Sequence, residues 1–262
     1  MAFKSGKIKT EEEVLLLKES SLLVGKTLAE VARNITPGVE TSRLDQIAET
    51  FIRDHGAVPG FKGYEGFPAT LCISVNEQVV HGIPGKRTLK DGDVVSIDCG
   101  TILNGYYGDS AYTFMVGEVA DEVRLLLEKT KEALYKGIGS ATAGKRVGDI
   151  GHAVQSHVEQ YGYTVVRDLV GHGIGKNLHE KPEIPNYGKR GTGPKLVEGM
   201  TICIEPMINL GSRMVVQEKD GWTIRTVDRK PSAHYEHAVV VRKEQCELLS
   251  TFEYIDEVIN KQ

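Results

Sequence analysis

Four acids and one histidine stand on or beside apolar, strand-like runs, and their residue types suit one kind of chemistry. They are Asp98 in VVSIDCG, Asp109 in GYYGDSAYTF, His172 in VGHGIGKNLHE, Glu205 in TICIEPM and Glu236 in HYEHAVVV. A carboxylate within a run such as Val94-Val95-Ser96-Ile97-Asp98 is costly to bury unless it is paired or bound to a cation. Oxygen donors with one imidazole suit divalent ions such as Mn, Fe, Co or Zn. The chemistry this implies is hydrolysis assisted by a pair of metal ions.

Asp98 and Asp109 flank Asn104-Gly105, a strong signal for a two-residue hairpin turn. In that register Asp109 lies opposite Gly100, and period-2 geometry puts both carboxylates on one face as diagonal neighbours about 7–8 Å apart at the backbone. Such a pair can reach two cations about 3.5–4 Å apart; taken alone, it could equally be two surface acids. Pro206 ends regular strand pairing and leaves Glu205 at a strand end. Glu236 precedes the apolar run Ala238-Val239-Val240-Val241. For either glutamate by itself, a buried ion pair with Lys or Arg is the bland alternative to metal ligation.

His172 and His179 lie seven residues apart among Gly171, Gly173 and Gly175, which allow a ligand close to the backbone and permit unusual dihedrals. The spacing is not that of a helical zinc site, so one imidazole can bind metal while the other meets substrate. His81, in VVHGIP, is a third candidate. His55, His152 and His157 fall on expected helices, and His234 and His237 merely neighbour Glu236. No P-loop, dinucleotide fingerprint or nucleophile elbow is present. Cys72 and Cys99 have no evident base, so nucleophilic catalysis ranks below metal-activated water.

These residues need elements to position them. Thr10-Glu11-Glu12-Glu13 reads as a capping box opening a helix to about Asn34, with Val14, Leu17, Leu28 and Val31 buried, and Thr36-Pro37-Gly38 stopping it. A second helix is expected from Ser42 to His55, with Leu44, Ile47, Ala48, Phe51 and Ile52 at helical spacing. The pattern Leu28…Thr36-Pro37-Gly38…Leu44…Ile52…Gly56 returns 106 residues later as Leu134…Thr142-Ala143-Gly144…Ile150…Val158…Gly162. Leu89 to Asp98 likewise matches Leu196 to Glu205 at an offset of 107. Each half then reads as two helices followed by strands with an acid at the equivalent place. We expect one domain over residues 1–262, with pseudo-symmetric halves of about 10–118 and 120–250. His179 to Pro194, rich in Gly and Pro, reads as a loop at the rim of the site.

The chain has 262 residues, 40% of them hydrophobic and 26% charged, with a net charge of −4. That is an ordinary globular composition with no nucleic-acid footprint. The start, MAFKSGKIKTEEEV, lacks a signal-peptide core, and no run approaches a membrane span. Cys72, Cys99, Cys203 and Cys246 lie far apart with no CxxC pair, which fits neither a disulfide framework nor a zinc knuckle. The expectation is a cytoplasmic enzyme.

The segments CISVNEQVVHGIP, DGDVVSIDCG, NGYYGDSAYTF, GHGIGKNLHEKP, IEPM and DGWTIRTVDRKPSAHYEHAVVV, in this order, resemble the type I methionine aminopeptidases, bacterial type Ia, from about residue 8 to 250. The resemblance implies the pita-bread fold: an α+β, pseudo-two-fold arrangement with a curved, mainly antiparallel sheet covered by helices. It implies two divalent ions (Co, Mn, Fe, Zn or Ni), with Asp98 on one, His172 and Glu205 on the other, and Asp109 and Glu236 bridging. Glu205 would act as general base, with His81 and His179 contacting substrate and stabilising the tetrahedral intermediate. Tyr64, Phe67, Cys72, Leu178 and Trp222, with Phe61 nearby, would wall a methionine pocket. Leu178 stands where many relatives carry an aromatic residue, and Glu65 where bacterial relatives often carry His; both bear on pocket size and rate.

The activity implied is cotranslational removal of the initiator methionine before a small second residue. The partners would be nascent chain N-termini near the ribosome exit, with no nucleic acid, no membrane, and a monomeric enzyme. Met1-Ala2 is itself such a start. Glu236 follows Glu205 by only 31 positions, which leaves no room for the type II insertion, and the region before Thr10 is too short for the eukaryotic zinc-binding extension. Xaa-Pro aminopeptidases and prolidases share the fold and ligands but usually carry a further N-terminal domain. A non-catalytic pita-bread binding module, the remaining alternative, would typically have lost ligands that are present here.

Overall fold

A computed structural model describes residues 6–261 of the chain, so Met1-Ala2 lies outside the described residues. The first half opens with helices α1 (Glu11–Ala32) and α2 (Thr41–Asp54). Strands β1 (Val58–Pro59), β2 (Leu71–Val75), β3 (Gln78–Val80), β4 (Val94–Leu103) and β5 (Tyr106–Met115) follow. The second half repeats the opening with α3 (Asp121–Ile138) and α4 (Val147–Val158). Its strands are β6 (Thr164–Val165), β7 (Gly171–Gly173), β8 (Glu180–Ile184), β9 (Thr201–Ile204) and β10 (Met207–Asn209). The chain continues through β11 (Val215–Gln217), β12 (Ile224–Thr226), β13 (Ser232–His234), β14 (His237–Val240) and β15 (Glu247–Leu248) to α5 (Glu253–Ile259).

The capping box forms as the sequence requires. Thr10 Oγ1 accepts from Glu13 N at 3.3 Å, and Glu13 Oε2 accepts from Thr10 N at 3.0 Å. Glu11, Glu12 and Glu13 face the positive end of the α1 dipole. The helix ends at Ala32, two residues before the expected Asn34, because the chain closes through shorter turn bonds from Asn34 N to Val31 O and Ile35 N to Ala32 O. The halves share backbone detail as well as pattern. Gly38 N donates to Leu89 O and Gly144 N to Leu196 O, with the two glycines at φ 93° and 94°. A side chain would be strained at that dihedral.

Alternation sorts each strand between two faces. On β4, Val95, Ile97 and Cys99 enter the large core shared with both helix pairs, which leaves Ser96, Asp98 and Gly100 on the opposite face. On β5, Tyr112 and Phe114 join the same core, while Asp109, Ala111 and Thr113 point away from it. On β9, Ile202 and Ile204 are in the core, and Cys203 and Glu205 take the other side. All strand ladders are antiparallel. The helices thus cover one face and the acids gather on the other.

Strand β5 is the seam between halves. Ser110 Oγ donates to Glu236 O at 2.7 Å, Glu236 N to Ala111 O at 2.9 Å, and Thr113 Oγ1 to His234 O at 2.7 Å. Tyr107 N donates to Gly175 O at 2.9 Å. The first three of these bonds bring residues more than a hundred positions apart to one strand. A methyl group on Gly108 would lie 2.5 Å from the Ser20 and Ser21 backbone of α1. Gly108→Ala is therefore expected to cost about 1–3 kcal/mol of stability by overpacking, read as a drop in melting temperature.

Two expectations are corrected here. His179 to Pro194 is not loop throughout: residues 180–184 form β8, the edge of the sheet ordered β15-β14-β9-β7-β8. Pro182 is tolerated because an edge strand has no second neighbour demanding its N–H. The glycines around His172 are held by packing and not by special dihedrals, since none of Gly171, Gly173 and Gly175 has positive φ. A Cβ on Gly171 would lie 2.4 Å from Cys203 O, and one on Gly173 would lie 2.5 Å from Lys181 O. Among the described residues, no helix is long and apolar enough to cross a membrane.

Candidate active site

The hairpin turn Asn104-Gly105 has positive φ at both positions, 52° and 78°, as its turn type demands. It sets Gly100 opposite Asp109 and Cys72 opposite Asp98. Asp98 and Asp109 therefore share a face as diagonal neighbours. His172 is the middle residue of β7. Glu205 follows β9 at the proline break, and Glu236 sits between β13 and β14. All five line one cavity of about 130 Å³, together with His81 and His179.

Burial makes this cluster unusual. Asp109, Glu236 and His172 are 3%, 2% and 8% exposed. His172 Nε2 stands 3.7 Å from Asp109 Oδ2 and 3.6 Å from Glu205 Oε1, too far for hydrogen bonds. Asp98 Oδ1, Asp109 Oδ1 and Glu236 Oε1 are buried with no hydrogen-bond partner among the described residues. Each orphaned acceptor costs about 1–3 kcal/mol, and more if charged. Bound cations would satisfy such acceptors, and the separations of His172 Nε2 from Asp109 and Glu205 suit donors sharing an ion through bonds of about 2.0–2.2 Å. The residues fit a divalent metal.

Asp109, His172, Cys203 and Glu236 each offer a ligand atom within 4.8 Å of the others. Cys203 is the poorest donor of that set, because burial, then the charge of Glu236, holds its thiol well above its usual range. Burial likewise raises every acid of the cluster. Asp98 is pushed up to about 6. Asp109 is raised further by Glu236 and Asp98, Glu205 by Asp98, and Glu236 by Glu205. The imidazoles move the other way. Burial, then the neighbouring His179, takes His172 down to about 3, and burial, then His234 and His179, takes His81 down to about 4. Burial also lowers His179. The site is acid-rich, with neutral imidazoles that can ligate or donate.

Beside the acids, the cavity is walled by Phe61, Tyr64, Glu65, Phe67, Cys72, Leu178 and Trp222. Phe67 meets Trp222 edge to face with ring centroids 5.2 Å apart. Tyr64 Oη lies 2.9 Å from His179 Nδ1, joining the apolar wall to the acidic end. His81 holds φ 59°, a left-handed conformation that costs a non-glycine residue about 1–3 kcal/mol. The fold sustains that strain at the edge of the cavity.

The model of metallopeptidase family M24 matches residues 16–243. The chain belongs to that family. Within it, the methionine aminopeptidase of Clostridium acetobutylicum is 49% identical over 247 residues, covering 94% of this chain and 99% of that one. Methionine aminopeptidase 1 of Bacillus subtilis is 50% identical over 242 residues, covering 92% and 98%. The crystal structure of methionine aminopeptidase from Rickettsia prowazekii superposes with a TM-score of 0.93 at 42% identity, covering 94% and 100%. This M24 chain thus has the pita-bread fold that its motifs imply, and it is a metallopeptidase of the methionine aminopeptidase branch.

Every residue that the sequence assigned to the site lines this cavity: Asp98, Asp109, His172, Glu205, Glu236, His81, His179, Tyr64, Phe67, Cys72, Leu178 and Trp222. One histidine was misjudged. His234 is not a mere neighbour of Glu236: its Nε2 lies 3.6 Å from Glu205 Oε2 and, buried, has no hydrogen-bond partner. Strand β13 carries it there by pairing with β10, which places His234 opposite Met207. The alternation of Ser232, His234 and Glu236 was the one available signal. His237 is structural, with Nδ1 2.7 Å from Ser250 Oγ and its ring stacked on Phe252.

Proposed function

We propose that this chain removes N-terminal methionine from nascent polypeptides whose second residue is small, using two divalent ions held by Asp98, Asp109, His172, Glu205 and Glu236. The observation that carries the reading is the set of unpartnered buried carboxylate oxygens at one end of an aromatic, thiol-lined cavity. The whole chain acts as one catalytic domain, as a monomer in the cytoplasm near the ribosome exit. The four free, buried cysteines suit a reducing compartment.

When bound, the ions would supply Lewis acidity for the scissile carbonyl and lower the pKa of water. The residues do the rest. Glu205, whose carboxyl burial makes more basic, takes a proton from the attacking water and returns it to the departing amine. His234 Nε2 stands 3.6 Å from the second oxygen of that carboxylate. With Tyr64 Oη donating to His179 Nδ1, the ring proton sits on Nε2, a donor for the oxyanion of the tetrahedral intermediate. His81 supports the peptide backbone. Phe67, Cys72, Leu178 and Trp222 surround the thioether with polarizable contacts.

Hydrolysis of Met-Ala-Ser and Ala-Pro-Ala by chelator-stripped protein, with and without Mn or Co, tests the proposal. Metal-restored release of methionine from the first peptide alone is the expected result. Cleavage of the proline peptide would move the chain to the Xaa-Pro branch. Metal binding with no turnover of either would favour a binding module.

A further inference from the structure

The segment before α1 is tied to the second half of the chain. Ile8 bridges Met200, and Lys9 N donates to Gly199 O at 2.8 Å. From there the Lys9 side chain reaches Glu180, 171 positions away, with Nζ 2.6 Å from Oε2. Both side chains are nearly inaccessible, at 5% and 6% exposure. A charge pair removed from water this far is demanding to assemble and strongly disruptive to break from one side. Its location therefore bears on what it does.

Glu180 opens β8 immediately after His179 and pairs with Gly173, the residue after His172. Between these strands the chain reverses over residues 174–179. Glu180 Oε1 accepts from Asn177 N at 3.4 Å within that reversal. A Cβ on Gly175 would fall 2.6 Å from both Glu180 Oε1 and Lys9 Nζ, so the reversal lies directly on the ion pair. Its last two residues, Leu178 and His179, are cavity walls. His179 packs on His172 with ring centroids 4.4 Å apart.

We infer that Lys9 is a positioning residue: through its buried ion pair with Glu180 it fixes the reversal 174–179 that presents Leu178 and His179 to the methionine cavity. The functional part of this inference rests on the proposed activity. Segment 6–9 then belongs to the apparatus of specificity, although it lines no part of the cavity.

Lys9→Met alone leaves Glu180 buried without its partner and can fail to fold, so the decisive variant is the double Lys9→Met, Glu180→Met. It removes both charges and keeps the bulk, an exchange that buried pairs often tolerate in stability. Trp222, the single tryptophan of the chain, reports methionine binding by fluorescence without turnover. In the double variant we expect near-wild-type melting, faster amide exchange confined to 174–180, and methionine Kd and peptide KM each raised about tenfold. Lys9→Arg, which preserves the pair, should stay within about threefold of wild type on every readout. Wild-type exchange at 174–180 in the double variant, or unchanged Kd and KM, would overturn the inference. If the wild-type chain itself neither bound nor released methionine, the proposed function would fail, and the exchange readout would still decide whether the pair holds the reversal.

Discussion

Glu205→Gln is expected to lower kcat on Met-Ala-Ser by about 10³-fold, within the usual range for loss of a general base, while the metal-free variant melts no lower than metal-free wild type. The amide matches the carboxylate in shape but cannot take a proton from water. Stability is spared because Glu205 shares a buried cavity with Asp98, Asp109 and Glu236, and the charge of Asp98 adds to burial in raising its pKa. Removing one of four crowded acids relieves repulsion, and the amide group still lies between His172 and His234, its oxygen toward one and its NH2 toward the other. KM is expected to move little, since methionine is held by the walls and not by the base. A kcat within tenfold of wild type would assign the proton transfer elsewhere. His234 would then be the next candidate by proximity, with Nε2 3.6 Å from Glu205 Oε2.

Much of this site was legible because local rules fix it. Asn104-Gly105 sets the hairpin register, and register alone puts Asp98 and Asp109 on one face. Pro206 marks the strand end that exposes Glu205 to the cavity. The repeat aligns Asp98 with Glu205, and the equivalent turn bonds of Gly38 and Gly144 show the same local geometry in each half. What escaped was tertiary. His234 reaches Glu205 only because β13 lies against β10, and nothing near Ser232-Ala233-His234 announces that partner. The glycines around His172 resemble ligand-approach glycines in sequence. Their real constraint is the backbone of β8 and β9, which arrives from residues downstream. For the same reason residues 180–184 read as loop: Pro182 within them and Pro185 just after mask a strand that needs partners on one side only.

Asp109→Asn should separate metal binding from folding. Asp109 is the acid most enclosed by others, with burial, then Glu236, Asp98 and Glu205, raising its carboxyl. An acid whose folded pKa lies above its unfolded value contributes stability at low pH and loses it as pH rises past the unfolded pKa. At pH 7 the metal-free protein therefore carries Asp109 as a liability. The metal-free Asn variant is expected to melt at or above metal-free wild type. Metal reverses the order. An ion present at a thousand times its Kd stabilises the folded state by about 4 kcal/mol, roughly 10 °C for a chain of this size. If losing this carboxylate weakens binding by about 100-fold, the same ion concentration gives only about 1.4 kcal/mol, so the metal-induced rise shrinks to a few degrees. Melting curves with and without Mn, beside direct metal analysis, measure both terms. An Asn variant with the full metal-induced rise would show that Asp109 does not hold the ion. A metal-free variant that melted well below wild type would show that its carboxylate supports the fold and not the cofactor.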